Sequence, residues 1–205
     1  MTSALNTSHK LVLHPADPDY APENPGTLRD ALHELGLLGD RLADDSGELY
    51  FTGENFLELI TFLGCSPVVN LGPGSSVEAG NEPFCQVRIG TVESVTRFYA
   101  GSDRLVPRCP ACRYRISSWA EIIKDWEQSP SAYRWSCPQC SGQLQAHQLN
   151  WRQSAGFGRF FMEIYGVFPH EAVPGEQLLA TLARITGVQW SYFYSERLSG
   201  SPAAT

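Results

Sequence analysis

Long apolar runs are missing from this 205-residue chain: no stretch approaches the roughly 20 residues needed to cross a bilayer. The opening MTSALNTSHKLVLHP has one early lysine and no extended apolar segment, so it fits neither a secretory signal nor an arginine-rich transit peptide. Cytoplasmic residence without a membrane partner is the expectation. Nucleotide-binding and protease signatures are missing too. The LGPG at 71–74, followed by Ser75 and Ser76, matches neither a P-loop nor a dinucleotide fingerprint and reads as a proline–glycine turn, and the dipeptide His170–Glu171 is not HExxH. An excess of positive charge is lacking as well. The formal charge of −7 disfavours broad, nonspecific attraction to a polyanion.

The composition is that of an ordered globular chain, with 42% hydrophobic and 18% charged residues. Its length suits one substantial core plus a small accessory module. Charge is unevenly spread. Residues 97–159 hold nine Lys/Arg against four Asp/Glu, leaving −12 on the remainder. Leu11–Leu13 predicts a short strand, and Thr27 is a candidate cap for a helix with the stripe Leu28, Ala31, Leu32 and Leu35, stopped at Gly36. Leu49–Thr52 predicts a strand and Glu54–Leu63 a helix, followed by strands in FCQVRIG and around Ser94–Tyr99. In the last third, Phe160–Val167 predicts a strand, His170–Pro174 a rigid loop, Gly175–Ile185 a helix and Val188–Tyr194 another strand. The expected fold is α+β or a two-layer α/β host domain. It comprises residues 1–104 and 153–205, interrupted by a cysteine-bearing insertion at 105–152.

Six cysteines in a small secreted protein would suggest disulfide staples, but here four fall in two short pairs and the chain is large enough to fold without them. The pairs are Cys109-Pro110-Ala111-Cys112 and Cys137-Pro138-Gln139-Cys140, with 24 residues between them. Two residues between paired thiols let one tight turn aim both sulfurs at a single centre, and four thiolates complete a tetrahedron. Cys109, Cys112, Cys137 and Cys140 are therefore the expected ligands of a structural Zn²⁺. His147 is not needed as a ligand, and Cys65 and Cys85 read as buried thiols. RCPACRYR and WSCPQCSGQL resemble the paired knuckles of the zinc-ribbon superfamily over about residues 105–150. That resemblance implies a structural metal site in a scaffold used for nucleic-acid binding, protein docking or accessory roles in enzymes. RYRISSWAEIIKDWEQSPSAYRW between the knuckles departs from a plain ribbon hairpin and has room for a short helix.

Arg108, Arg113 and Arg115 crowd one knuckle, with Arg97 and Arg104 upstream and Tyr114, Trp119, Trp126 and Trp135 interspersed. Arginine forks contact oxyanions and exposed rings stack on bases, whereas buried rings close a small core. The leading expectation is a non-catalytic, zinc-stabilised adaptor that docks a protein partner. An RNA or single-stranded DNA-binding accessory protein is the first alternative. The second is an enzyme using Glu163, His170 or Glu171 in a pocket that folding would have to assemble.

Overall fold

The computed structural model describes residues 9–42, 48–63, 69–72 and 84–196. Its elements, in chain order, begin with β1 (Lys10–Pro15), α1 (Pro25–Glu34), β2 (Leu38–Arg41), β3 (Leu49–Thr52), the single turn α2 (Phe56–Leu59), β4 (Ile60–Phe62), β5 (Gln86–Ile89) and β6 (Arg97–Ala100). They continue with α3 (Trp119–Gln128), β7 (Trp135–Ser136), β8 (Gln143–Leu144), a 3₁₀ turn (Ala146–Gln148), β9 (Ala155–Gly158), β10 (Met162–Tyr165), β11 (Ala172–Pro174), α4 (Glu176–Thr186) and β12 (Trp190–Ser195). Six strands form one sheet in the order β12-β1-β10-β5-β3-β2, every pairing antiparallel. Helices packed on an antiparallel sheet define an α+β fold.

Strand alternation sorts the two faces of the sheet. Leu11 and Leu13 of β1, Val87 and Ile89 of β5, and Met162 and Ile164 of β10 point into the main core, where Leu28 and Leu32 of α1 and Leu178 and Leu182 of α4 meet them. The alternate positions Lys10, His14, Arg88, Glu163 and Phe193 lie on the opposite face. There the two-stranded ribbon β6–β9 covers part of them: Tyr99 reaches Glu163, and Gly156 lies so close to Phe193 and His14 that a Cβ would stand 2.5 Å from a Phe193 ring carbon.

That ribbon is the stem of a second apolar core. Phe98, Ala100, Ala155 and Phe157 join Leu105, Ile116, Ile122, Ile123, Trp126, Leu149 and Trp151, so residues on both sides of 105–152 share the packing of the cysteine-bearing segment. The outer edge of β12 is occupied by the same unit: Tyr194 donates its N–H to Gln153 O and Glu196 to Gly101 O. An edge strand is thereby covered rather than left open. Gly101 is required at this seam, because any Cβ there would overlap the Tyr194 carbonyl oxygen. Gly101→Ala is expected to cost about 1–3 kcal/mol in a denaturant titration while leaving metal content unchanged, since it loosens the seam and not the cysteine cluster.

Several elements differ from the sequence expectation. Asn24, not Thr27, caps α1: its side chain accepts from Gly26 N–H at 2.9 Å, and Pro25 takes the first helical position, where a missing N–H costs nothing. The helix expected over Glu54–Leu63 shrinks to one turn because Ile60–Phe62 pairs with β11. The β-branched pair Ile60–Thr61 and the available partner strand outweigh helical periodicity. The same pairing makes a strand of Ala172–Pro174, expected as loop. The 73–83 segment, including Pro73 and Gly74 of LGPG and both serines, lies outside the described residues, as does Cys65. Among the described residues no helix is long and apolar enough to cross a membrane.

Candidate metal centre

The two cysteine pairs adopt one backbone geometry. In the first, Arg113 N–H donates to Cys109 O and Cys109 N–H to Tyr114 O; in the second, Ser141 N–H donates to Cys137 O and Cys137 N–H to Gly142 O. The residue after each second cysteine sits in the left-handed region, Arg113 at φ 63° and Ser141 at φ 58°. A non-glycine residue pays to adopt that conformation, so its recurrence at equivalent positions marks a turn held for a purpose. β7 and β8 form the hairpin around the second pair, and the bridge between Arg108 and Arg115 closes the first.

Folding brings all four sulfurs within 4.8 Å of one another. The Cys109–Cys140 Sγ separation is 3.8 Å and the Cys112–Cys137 separation 3.6 Å. These values are far beyond a disulfide bond of about 2.05 Å. Cys109 and Cys137 are 1% and 2% exposed, and Cys140 lies open to solvent. The cluster can hold a metal ion with four sulfur donors. Burial would raise the Cys137 thiol, but backbone N–H groups of Cys140 and Gln139 outweigh it and bring it down to about 7. At Cys112 the Tyr114 N–H pulls downward, yet burial and the neighbouring sulfurs push the thiol up to about 12. Without an ion, the facing thiols titrate as one coupled set. Ion binding must expel the remaining protons, which makes affinity rise with pH.

The other sequence candidates separate from this centre. His147 stands edge-on to the Phe157 ring at 6.3 Å and is not part of the sulfur cluster. Cys85 is buried, and that burial, with the charge of Glu171, pushes its thiol up to about 11, so it stays protonated and packs as a small apolar group. Glu163 accepts from Tyr99 Oη and Tyr165 Oη at 2.7 Å each and pairs with Lys10 Nζ at 3.0 Å. His170 lays its ring 4.7 Å from that of Tyr194, while Glu171 accepts the Phe168 N–H at 3.2 Å. The three share no hydrogen bond among the described residues. A cleft of about 220 Å³ opens instead at the seam, between His14, Tyr192 and the segment His147–Phe157. Lys10, Tyr99 and Tyr165 escaped sequence reasoning because they do not stand out beside Glu163 as a motif, Lys10 and Tyr99 lying far from it along the chain. The available signal was polar residues alternating with Leu11 and Leu13, and with Met162 and Ile164. No protein-family model, curated protein or solved structure matches the chain.

Proposed function

We propose that this chain is a non-catalytic, zinc-stabilised adaptor, in which an inserted four-cysteine zinc ribbon seated on an α+β host presents a basic edge to an acidic protein partner. The observation that carries the reading is the duplicated knuckle: two turns of identical hydrogen bonding aim four thiols at one point, and the first of them bears Arg113, Tyr114 and Arg115, all exposed. Zinc–sulfur bonds of about 2.3 Å in a tetrahedron give sulfur–sulfur edges of about 3.8 Å, which agrees with the 3.6 and 3.8 Å separations. Closing the site fixes the arginine-bearing turn. The seam contacts then fix the whole insertion against the host, so the edge is offered in one orientation and its ordering cost is met before binding.

Tyr114 favours a second reading. The residue is 38% exposed between two exposed arginines, an arrangement on which an unpaired base can stack. The two readings are separated by one experiment on protein purified without added metal. Elemental analysis should find one zinc per chain, with iron in its place overturning the zinc assignment. Cross-linked complexes recovered from a native extract should withstand nuclease and fall about tenfold in the Arg113→Glu, Arg115→Glu double variant at unchanged metal content. Complexes dissolved by nuclease would transfer the edge to RNA or single-stranded DNA. Complexes indifferent to both treatments would remove the basic edge from the function.

A further inference from the structure

Arg108 is the middle residue of a short three-strand row. On one side it exchanges both backbone hydrogen bonds with Asn150, each 2.9 Å. On the other, Cys109 N–H to Tyr114 O and Ile116 N–H to Pro107 O frame Arg108 and Arg115 as a directly opposed pair without mutual hydrogen bonds, the closer of the two antiparallel spacings. Opposed residues in antiparallel strands point to the same face, so Arg115, Arg108 and Asn150 lie side by side.

The row is rich in donors. Guanidinium groups cannot accept, and the Asn150 carbonyl oxygen already accepts from Arg152 N–H at 3.0 Å while its NH₂ adds two further donors. Arg108 Nε is buried without a hydrogen-bond partner, and neither Arg108 nor Arg115 has an ion pair among the described residues. Like charges directly opposed across strands repel, and a buried donor without an acceptor is costly. Both penalties vanish if one group rich in acceptor oxygens and negative charge lies across the row.

We propose that Arg108, Arg115 and Asn150 form a clamp for a phosphate monoester dianion carried by the partner of the basic edge, an inference that rests on the adaptor reading. Charge selects this ligand: two guanidinium groups match a monoester of charge about −1.5 to −2 with three acceptor oxygens, whereas a carboxylate or a phosphodiester brings a single charge. The position fits as well. Arg108 precedes Cys109 and Arg115 follows the same knuckle, so the hydrogen bonds that close the knuckle set the spacing of the clamp. Asn150 also lines the 220 Å³ seam cleft, where groups beside the phosphate can lie.

The test uses the full-length, metal-loaded chain. Inorganic phosphate, followed by ³¹P NMR, should show saturable binding that Arg115→Gln removes without changing metal content. An acidic peptide carrying one phosphoserine should bind about tenfold tighter than its serine counterpart, with inorganic phosphate competing. Asn150→Asp should abolish the phosphate preference and raise thermal stability, because it supplies the row with a carboxylate of its own. Equal affinity for the two peptides, still sensitive to Arg113→Glu, would overturn the clamp and leave the adaptor standing. Failure of both peptides to bind would overturn both. A single-stranded oligonucleotide that binds and resists competition by phosphate would overturn the clamp in favour of nucleic acid.

Discussion

Cys137→Ser is expected to abolish metal binding by the four-cysteine cluster and to unfold residues 105–152 while the six-stranded sheet persists. The Cys137 thiol is brought down to about 7 and is 2% exposed, held by backbone N–H groups that stabilise negative charge on sulfur. A serine hydroxyl does not ionise near neutral pH and is a poor partner for a thiophilic ion, so the tetrahedron loses a corner that solvent cannot fill. The consequence is local because the cysteine-bearing segment has little regular structure to close it. β7 and β8 are two residues each, and the second core is a small cluster whose centre is Trp126, Trp151 and Phe157. In such a unit the free energy of metal binding is free energy of folding. Elemental analysis should fall from one ion per chain to near zero, and limited proteolysis should cut between 105 and 152 while sparing β1, β10 and β12. Cys85→Ser is the control and should retain the metal, since its thiol lies in the other core. A 105–152 segment that stays protease-resistant in the metal-free variant would show that packing alone maintains it.

The four-cysteine cluster was legible because its information is local: two residues between thiols specify a turn, and two such turns can converge on one point. α4 and the strand positions of Leu11–Leu13 and Leu49–Thr52 were legible for the same reason, as periodic patterns within a few residues. Where partners come from afar, the reading failed. Ile60–Phe62 leaves its helix because Ala172–Pro174 lies alongside, more than 100 residues later. Glu163 was a candidate catalytic residue, but its setting depends on Lys10 and Tyr99, brought to it by the sheet and by β6. The donor-rich row was equally hidden, since Asn150 joins the arginines only through pairing with Arg108.

Glu163→Ala is expected to be the most damaging substitution in the host, lowering stability by about 3–5 kcal/mol. The carboxylate sits on the covered face with 13% of its side chain exposed, and the Lys10 ammonium it neutralises has 7%. Truncation leaves that ammonium buried without its counter-charge and deprives Tyr99 and Tyr165 of their acceptor. Glu163→Gln should be milder, because an amide oxygen still accepts while the charge is lost. pH gives an independent check. Burial works against the Glu163 carboxylate, but the Lys10 charge and the hydroxyls of Tyr165 and Tyr99 outweigh it and hold the group below its ordinary 4.5. A depressed acid stabilises the fold fully above that ordinary value, and its contribution is lost as pH falls from there through the folded-state value. Wild-type stability should therefore drop below pH 4.5 with a component that Glu163→Gln lacks. His14 and His147, both lowered by burial, act in a separate window that opens as pH falls below 6.5, so the two effects can be resolved in one titration. Tyr99 lies in β6, on the stem that carries the cysteine-bearing unit, so its bond to Glu163 is also a tether between the two cores. A double-mutant cycle of Tyr99→Phe with Glu163→Gln should give a coupling of about 0.5–3 kcal/mol. A coupling near zero would mean that the β12 edge and the glycine contacts hold the cysteine-bearing unit in place without this bond.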